Sequence, residues 1–211
     1  MISKNGWKDF LINYFLILLQ TMFKHFEENE RFLKLDLSNQ SWNKLEFVNC
    51  IFESIDFSLS SFLSTRFEDC SFEKCNLSSI RLSSYQLNSV SFNESKILGV
   101  QFHSCSDFSF EISFKDCTLD YSSFYQKKMQ NTYFTNCSLK EVDFTESNLS
   151  KSTFDNSSLM DSVFYRSILK EVDFRSAKHF NINPEDNKLK KAKFSRNGLE
   201  GLLLKYKLII E

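Results

Sequence analysis

The side chains best suited to chemistry are six cysteines, three histidines and a few close pairs of acids. Cys50, Cys70, Cys75, Cys105, Cys117 and Cys137 include no CxxC spacing, so neither a zinc knuckle nor a dithiol redox centre is indicated. Cys50/Cys70 and Cys117/Cys137 are each twenty residues apart, a spacing that returns below. His25, His103 and His179 lie far from one another and outside any HExxH or triad setting, which leaves them as surface histidines. Acid pairs such as Glu68/Asp69 and Glu141/Asp143 could serve general acid–base catalysis only in a partly dry cleft. With four glycines in the chain, no GxGxxG, Walker or GxSxG motif cradles a phosphate or exposes a nucleophile. The expectation is a protein without catalytic residues, metal or cofactor.

The elements that must position these residues are announced by an odd composition. The 211 residues hold 24 Phe against 4 Gly and 1 Pro, with 42% apolar and 25% charged residues. Collagen-like, Pro-rich and Gly-rich chains are excluded, and the apolar content suffices for a core. Net charge is −1 but unevenly spread. Residues 27–187 carry 16 basic and 24 acidic side chains, a net of −8, whereas residues 188–211 carry 7 and 2, a net of +5. An acidic body argues against a chain that wraps nucleic acid, and no direct nucleic-acid contact is expected.

The organising signal is a period of five. Stepping from Leu37 gives Trp42, Phe47, Phe52 and so on to Phe102; stepping from Phe114 gives Leu119, Phe124, Met129 and so on to Phe174. All 27 positions are apolar. On an α-helix every fifth residue scatters around the cylinder, and on a flat strand it alternates between faces. Only a chain that turns about once per five residues keeps the whole set inside. The position two residues earlier is mostly small or apolar and includes all six cysteines, so two residues in five face inward and three face solvent. Gln40, Tyr85 and Lys127 break that rule and are expected to point outward or distort their corners.

The units Cys75-Asn76-Leu77-Ser78-Ser79, Val142-Asp143-Phe144-Thr145-Glu146, Ser147-Asn148-Leu149-Ser150-Lys151 and Val172-Asp173-Phe174-Arg175-Ser176 resemble the repeat of the pentapeptide-repeat proteins. The resemblance covers about residues 35–177 and implies an all-β, right-handed quadrilateral β-helix with four pentapeptides per coil. Residues twenty apart should then stack. The columns Phe114, Phe134, Phe154, Phe174 and Phe124, Phe144, Phe164 are alike along their length, as close packing favours. Nearly seven coils would make a rod roughly 34 Å long. Cysteines stacked on adjacent coils come within disulfide reach, but buried thiols acting as small hydrophobes are the expectation, and with them a reducing cytoplasm.

Three segments depart from the repeat. Residues 1–34 form an extension whose stretch from Phe10 to Phe23 is apolar. Its fourteen residues fall short of the roughly 20 that span a bilayer, and no small-x-small cleavage site follows. A helical end cap is favoured over membrane contact through residues 10–23 or a signal peptide, and Met22 is an alternative start. Within 103–113 the register shifts by two, which should kink the rod or divide it into two stacks. Pro184, the only proline, marks the expected end of the β-helix within a 178–211 cap. There Ser195 or Asn197 would cap a short helix carrying Leu199, Leu202, Leu203 and Leu204, and Tyr206 to Ile210 reads as a short strand.

The stretch Ile182-Asn183-Pro184-Glu185, with Asn187 to Phe194 and Gly201-Leu202-Leu203, resembles the terminal cap of the quinolone-resistance (Qnr-type) and microcin-immunity pentapeptide proteins. That resemblance implies a DNA-mimicking rod that binds DNA gyrase or topoisomerase IV. It also implies a homodimer formed through the C-terminal segment, with Leu199, Leu202, Leu203, Leu208 and Ile209 as the contact residues. Glu141, Asp143, Asp161 and Asp173 are outward acids and the candidate partner-binding group. The alternative is a pentapeptide scaffold for a different protein.

Overall fold

A side chain at every fifth position can be gathered inside only if the backbone bends at every fifth position, and the bends are visible one by one. The computed structural model describes residues 25–83, 86–107 and 110–209. Two residues after each inward ladder position the backbone enters the left-handed region, with φ from 49° to 66° at nearly every repeat from Asn29 to Glu171. Gly99 is the one glycine among them; the rest are chiefly Asn, Asp, Ser, Lys and Glu, and none is β-branched. Polar, unbranched residues tolerate this conformation best. At most corners the amide is spent on the next coil, as in Asn29 N–H to the Val48 carbonyl (3.0 Å) and Glu141 N–H to the Met160 carbonyl (2.9 Å). The chain therefore turns with hardly any Gly or Pro.

Four flat faces result, all joined by parallel pairing. The first face is a seven-stranded sheet of Arg31–Leu33, Ile51–Glu53, Ser71–Glu73, Val90–Asn93, Ile112–Lys115, Tyr133–Thr135 and Thr153–Asp155. The second is a run of single bridges from Asp36↔Asp56 to Ser158↔Lys178. The third contains Ser41–Asn43, Ser61–Leu63 and Arg81–Ser83, and the fourth Phe26–Glu28, Glu46–Val48, Arg66–Glu68 and Gln86–Asn88. Together they make the right-handed quadrilateral β-helix. All 27 ladder side chains are buried. On the first face nine phenylalanines, from Phe32 to Phe194, stack at 4.8–5.2 Å with planes within 19° of parallel. Neighbouring columns meet edge to face, as Phe134 does with Phe144 at 6.0 Å, the other favoured arrangement of aromatic quadrupoles.

Several expectations need correction. The β-helix starts at Phe26 rather than at residue 35, because Glu27 and Phe32 already occupy ladder positions. It also continues past Pro184. That proline sits in a turn, after which Ile168↔Lys188 and Asp173↔Lys193 resume the coil and Phe194 stacks on Phe174. The proline is tolerated because it lies in an outward loop that donates nothing to the ladder. The register break does not divide the rod: Val90–Asn93 pairs with Ile112–Lys115 at an offset of 22, and Phe92 stacks on Phe114 across it. Instead of a strand from Tyr206, Leu204–Tyr206 is a short 3-10 helix ended by Lys207 at φ 50°. Residues 1–24 of the expected N-terminal extension, with the 10–23 stretch and Met22, and also Tyr85 and Ile210, lie outside the described residues.

Lys127 is the clearest reversal. It points inward and is 2% exposed. Its ammonium donates to the Cys105 carbonyl (2.7 Å) and Asp107 Oδ1 (2.6 Å) and lies 4.5 Å over the Phe110 ring. The register break supplies these partners: Asp107 takes the ladder position after Phe102 yet stays outward, and Phe110 fills the core. A buried cation needs such partners. Gln40, by contrast, is only half-buried and donates from Nε2 to the Ser38 carbonyl (3.1 Å).

Candidate docking edge

The coils after the break carry two different outer surfaces. On the second and third faces, between Thr118 and Arg166, the outward charges are Asp120, Glu141, Asp143, Glu146 and Asp161 against Lys140 and Arg166, a net of −3. The corner column between these faces is Tyr121, Glu141 and Asp161, each in the left-handed conformation (φ 63°, 54° and 57°), so their side chains project from the edge. Beside it runs Ser123–Asp143–Val163, held by parallel bridges. Tyr125 and Tyr165 stand one residue after the ladder on the third face.

The edge is apolar as well as acidic. Tyr121, Tyr125, Met160, Val163 and Tyr165 are 37–52% exposed. With Leu59 and Leu63 of earlier coils, seven of the fifteen most exposed large apolar side chains among the described residues lie on these two faces and their shared edge. Two rings already take cations from their own chain: Lys140 lies 5.9 Å from the Tyr121 ring centroid and Arg166 lies 5.0 Å from that of Tyr165. Tyr121 and Glu141 together hold the Lys140 ammonium above its ordinary pKa. Such an edge suits binding to a cationic, partly apolar surface.

The four candidate acids do not form one group. Glu141, Asp143 and Asp161 share this edge, whereas Asp173 lies on the first face, opposite the third, bridged to Thr153 and Lys193. Its carboxylate accepts from Arg175 Nη2 (2.7 Å) and lies 3.6 Å from Lys193 Nζ; Arg175 holds its pKa below the ordinary value. Asp143 is half-buried and structurally engaged, accepting from Thr145 N–H at 2.9 Å in an Asx turn. Glu141 and Asp161 are the exposed pair, Glu141 lying 3.5 Å from Lys140 Nζ. The aromatic members were missed from sequence because counting charge passes over Tyr; the readable signal was Tyr121 and Tyr125 at outward positions of adjacent repeats, with Tyr165 two coils on at the position of Tyr125.

The cysteines are buried and unbridged, and Cys50, Cys70, Cys75, Cys117 and Cys137 are hydrogen-bonded through Sγ to backbone carbonyls, as in Cys70 to Phe47 (3.4 Å). Burial pushes the thiols of Cys70, Cys105 and Cys137 up to about 12 and those of Cys75 and Cys117 to about 11. They are packing groups, far from thiolate reactivity.

At the C-terminal end, a 3-10 helix Arg196–Leu202 begins at Ser195, whose Oγ accepts from Gly198 N–H (3.2 Å), so Ser195 and not Asn197 is the cap. Gly201 lies so close to Phe180 that a Cβ would stand 2.4 Å from its carbonyl oxygen. Leu202 packs against the core, whereas Leu199, Leu208 and Ile209 are exposed. Tyr206 Oη donates to Glu185 Oε1 (2.8 Å), and Lys205 pairs with Glu185 at 2.5 Å, tying the tail to the Pro184 turn.

Comparison with known proteins agrees with this architecture. No curated protein matches the sequence. Two solved structures of trypsin-treated variants of QnrB1, described as a plasmid-mediated fluoroquinolone resistance protein, share the fold. One superimposes with a TM-score of 0.62 at 14% identity, covering 88% of this chain and 91% of its own. The other gives 0.59 at 12% identity, covering 88% and 100%. At such identity the likeness establishes the fold alone. The family model described as "Pentapeptide repeat region" matches residues 28–102, 109–178 and 127–204. Repeat, stacked columns and family model coincide over most of the sequence, and the chain belongs to the pentapeptide-repeat family.

Proposed function

We propose that this protein is a non-catalytic docking rod that binds DNA gyrase or topoisomerase IV through its acidic, aromatic edge and shields the enzyme from quinolones or peptide poisons. The observation that carries the reading is the one-sided edge, with net charge −3 and five exposed apolar side chains over three coils. A channel built to receive DNA is cationic, and a rod with an acidic edge enters it by the same attraction. Mimicry is confined to that edge, because the rest of the surface after the break is not acidic. Glu141 and Asp161 would make the salt-sensitive contacts, Asp143 would shape the surface, and Asp173 would take no part.

A homodimer joined at the C-terminal end is part of the reading. Leu199, Leu208 and Ile209 are exposed there, while Leu202 and Leu203 are partly covered. The unbridged thiols fit a reducing cytoplasm. Among the described residues no helix is long and apolar enough to cross a membrane.

A second reading is a scaffold for a different protein. It is favoured by Tyr121, Tyr125 and Tyr165, which suit a protein hot spot better than a copy of a phosphate backbone. Gyrase supercoiling, with and without a quinolone at rising protein concentration, separates the two. Inhibited supercoiling or reduced drug-stabilised cleavage is expected; no effect on either would remove gyrase as the partner.

A further inference from the structure

The fourth face after the break is the chemical opposite of the docking edge. Its outward positions run over four coils from Lys128 to Lys191, and the column Lys128–Asn148–Ile168–Lys188 is held in register by parallel bridges. Lys128, Lys151, Lys170, Lys188, Lys190 and Lys191 are all exposed there, against the single acid Glu171, a net of +5. Lys170 pairs with Glu171 at 3.5 Å and Lys128 approaches Asp107 at 3.9 Å. Lys151, Lys188, Lys190 and Lys191 have no ion-pair partner within 4.0 Å among the described residues. The same face before the break has the opposite sign, with Glu28, Glu46, Glu68 and Asp69 against Arg66. A chain-wide sum of charges averages this strip away.

We propose that the lysine strip of the fourth face binds the phosphate backbone of duplex DNA. Three coil rises of about 4.8 Å make the strip roughly 14 Å long. One strand of a duplex offers a phosphate about every 3.4 Å along its axis, so about four phosphates lie alongside a net charge of +5. Lysines act as point charges towards phosphate and need no fixed bidentate geometry. None of the most exposed large apolar side chains lies on these coils of the fourth face. A protein partner would lack an anchor there, and a regular polyanion does not need one. Because this strip and the docking edge lie on different sides, the rod can touch DNA and a DNA-binding protein at once. The inference stands independently of which protein the edge binds.

The test is fluorescence anisotropy of a labelled 20-base-pair duplex with the full chain between 25 and 200 mM KCl. The expected slope of log K against log salt is about −4, from 0.9 per neutralised phosphate. The triple change Lys188→Gln, Lys190→Gln and Lys191→Gln removes three exposed charges without reversing them. It should lower the slope by about three and weaken binding at least tenfold at 50 mM KCl, with the circular dichroism spectrum unchanged. Glu141→Gln with Asp161→Gln, on the other side, should leave duplex binding intact or slightly tighter. No duplex binding at 25 mM KCl, or an unaltered slope in the triple variant, overturns the proposal. So does preference for phosphatidylserine vesicles over duplex, which would make the strip a membrane contact.

Discussion

The docking edge and the lysine strip belong to the same coils and obey the same five-residue rule, yet their surfaces are opposite in charge and texture. The edge has net −3 with exposed tyrosines, and the strip has net +5 with no large exposed apolar group. Most of what differs lies in the three outward residues of each unit; the ladder residue is apolar on both sides, and the inward residue two before it is small or apolar except at Lys127 and Asn187 of the fourth face. Packing therefore fixes the inside of a solenoid and leaves the outside free to carry separate chemistries. Function in such a rod is assigned face by face, and a net charge over the whole chain says little about it.

The largest expected effect acts on the core that both sides share. Unfolded thiols titrate near their ordinary value of about 9, whereas five buried ones are pushed up to about 11 or about 12. A raised folded pKa gives stability that is fully present below about 9 and lost as pH rises through the folded value. Urea midpoints should therefore fall steadily above about pH 9. Each thiol contributes up to about 1.4 kcal/mol per pH unit, and Cys137→Ala should flatten the slope by one thiol's share. An identical slope in that variant would mean that the thiols do not carry the alkaline loss.

A smaller effect is expected at the break, where the fourth face changes sign. Asp107→Ala leaves the inward Lys127 ammonium, among the described residues, with the Cys105 carbonyl and the Phe110 ring, and should cost about 1–3 kcal/mol by chemical denaturation. Lys127→Met removes charge and demand together and should cost less. The reverse order would show that Lys127 is not held by its acid.

Much of this was legible in the sequence. The period of five located the 27 ladder residues from Leu37 to Phe174, and the twentyfold columns foretold the Phe114–Phe134–Phe154–Phe174 stack; Glu27, Phe32 and Phe194, at the two ends, were passed over. Illegible were features set by which neighbour a side chain meets across coils. Lys127 looked outward because its partners, Asp107 and Phe110, sit in the irregular segment where the repeat gives no register. Asp173 looked like part of the acidic group because all four acids lie in similar units; only the phase, five residues per face, separates it from Asp143. Pro184 looked terminal because a proline ends a strand, but here it occupies a turn and the ladder resumes at Lys188.

The smallest effects on stability should accompany the clearest effects on binding. Glu141→Lys and Asp161→Lys lie on exposed corners, so each should change folding by less than about 0.5 kcal/mol. The account is tested most directly by measuring the affinity of the full-length protein for gyrase at several salt concentrations, wild type beside the Glu141→Lys/Asp161→Lys variant and an Asp173→Lys control. The prediction is that the edge variant binds at least tenfold more weakly with a shallower salt dependence, while the Asp173 variant binds like wild type. Equal weakening by both variants, or unchanged binding in the edge variant, would contradict a function assigned to one side of the rod.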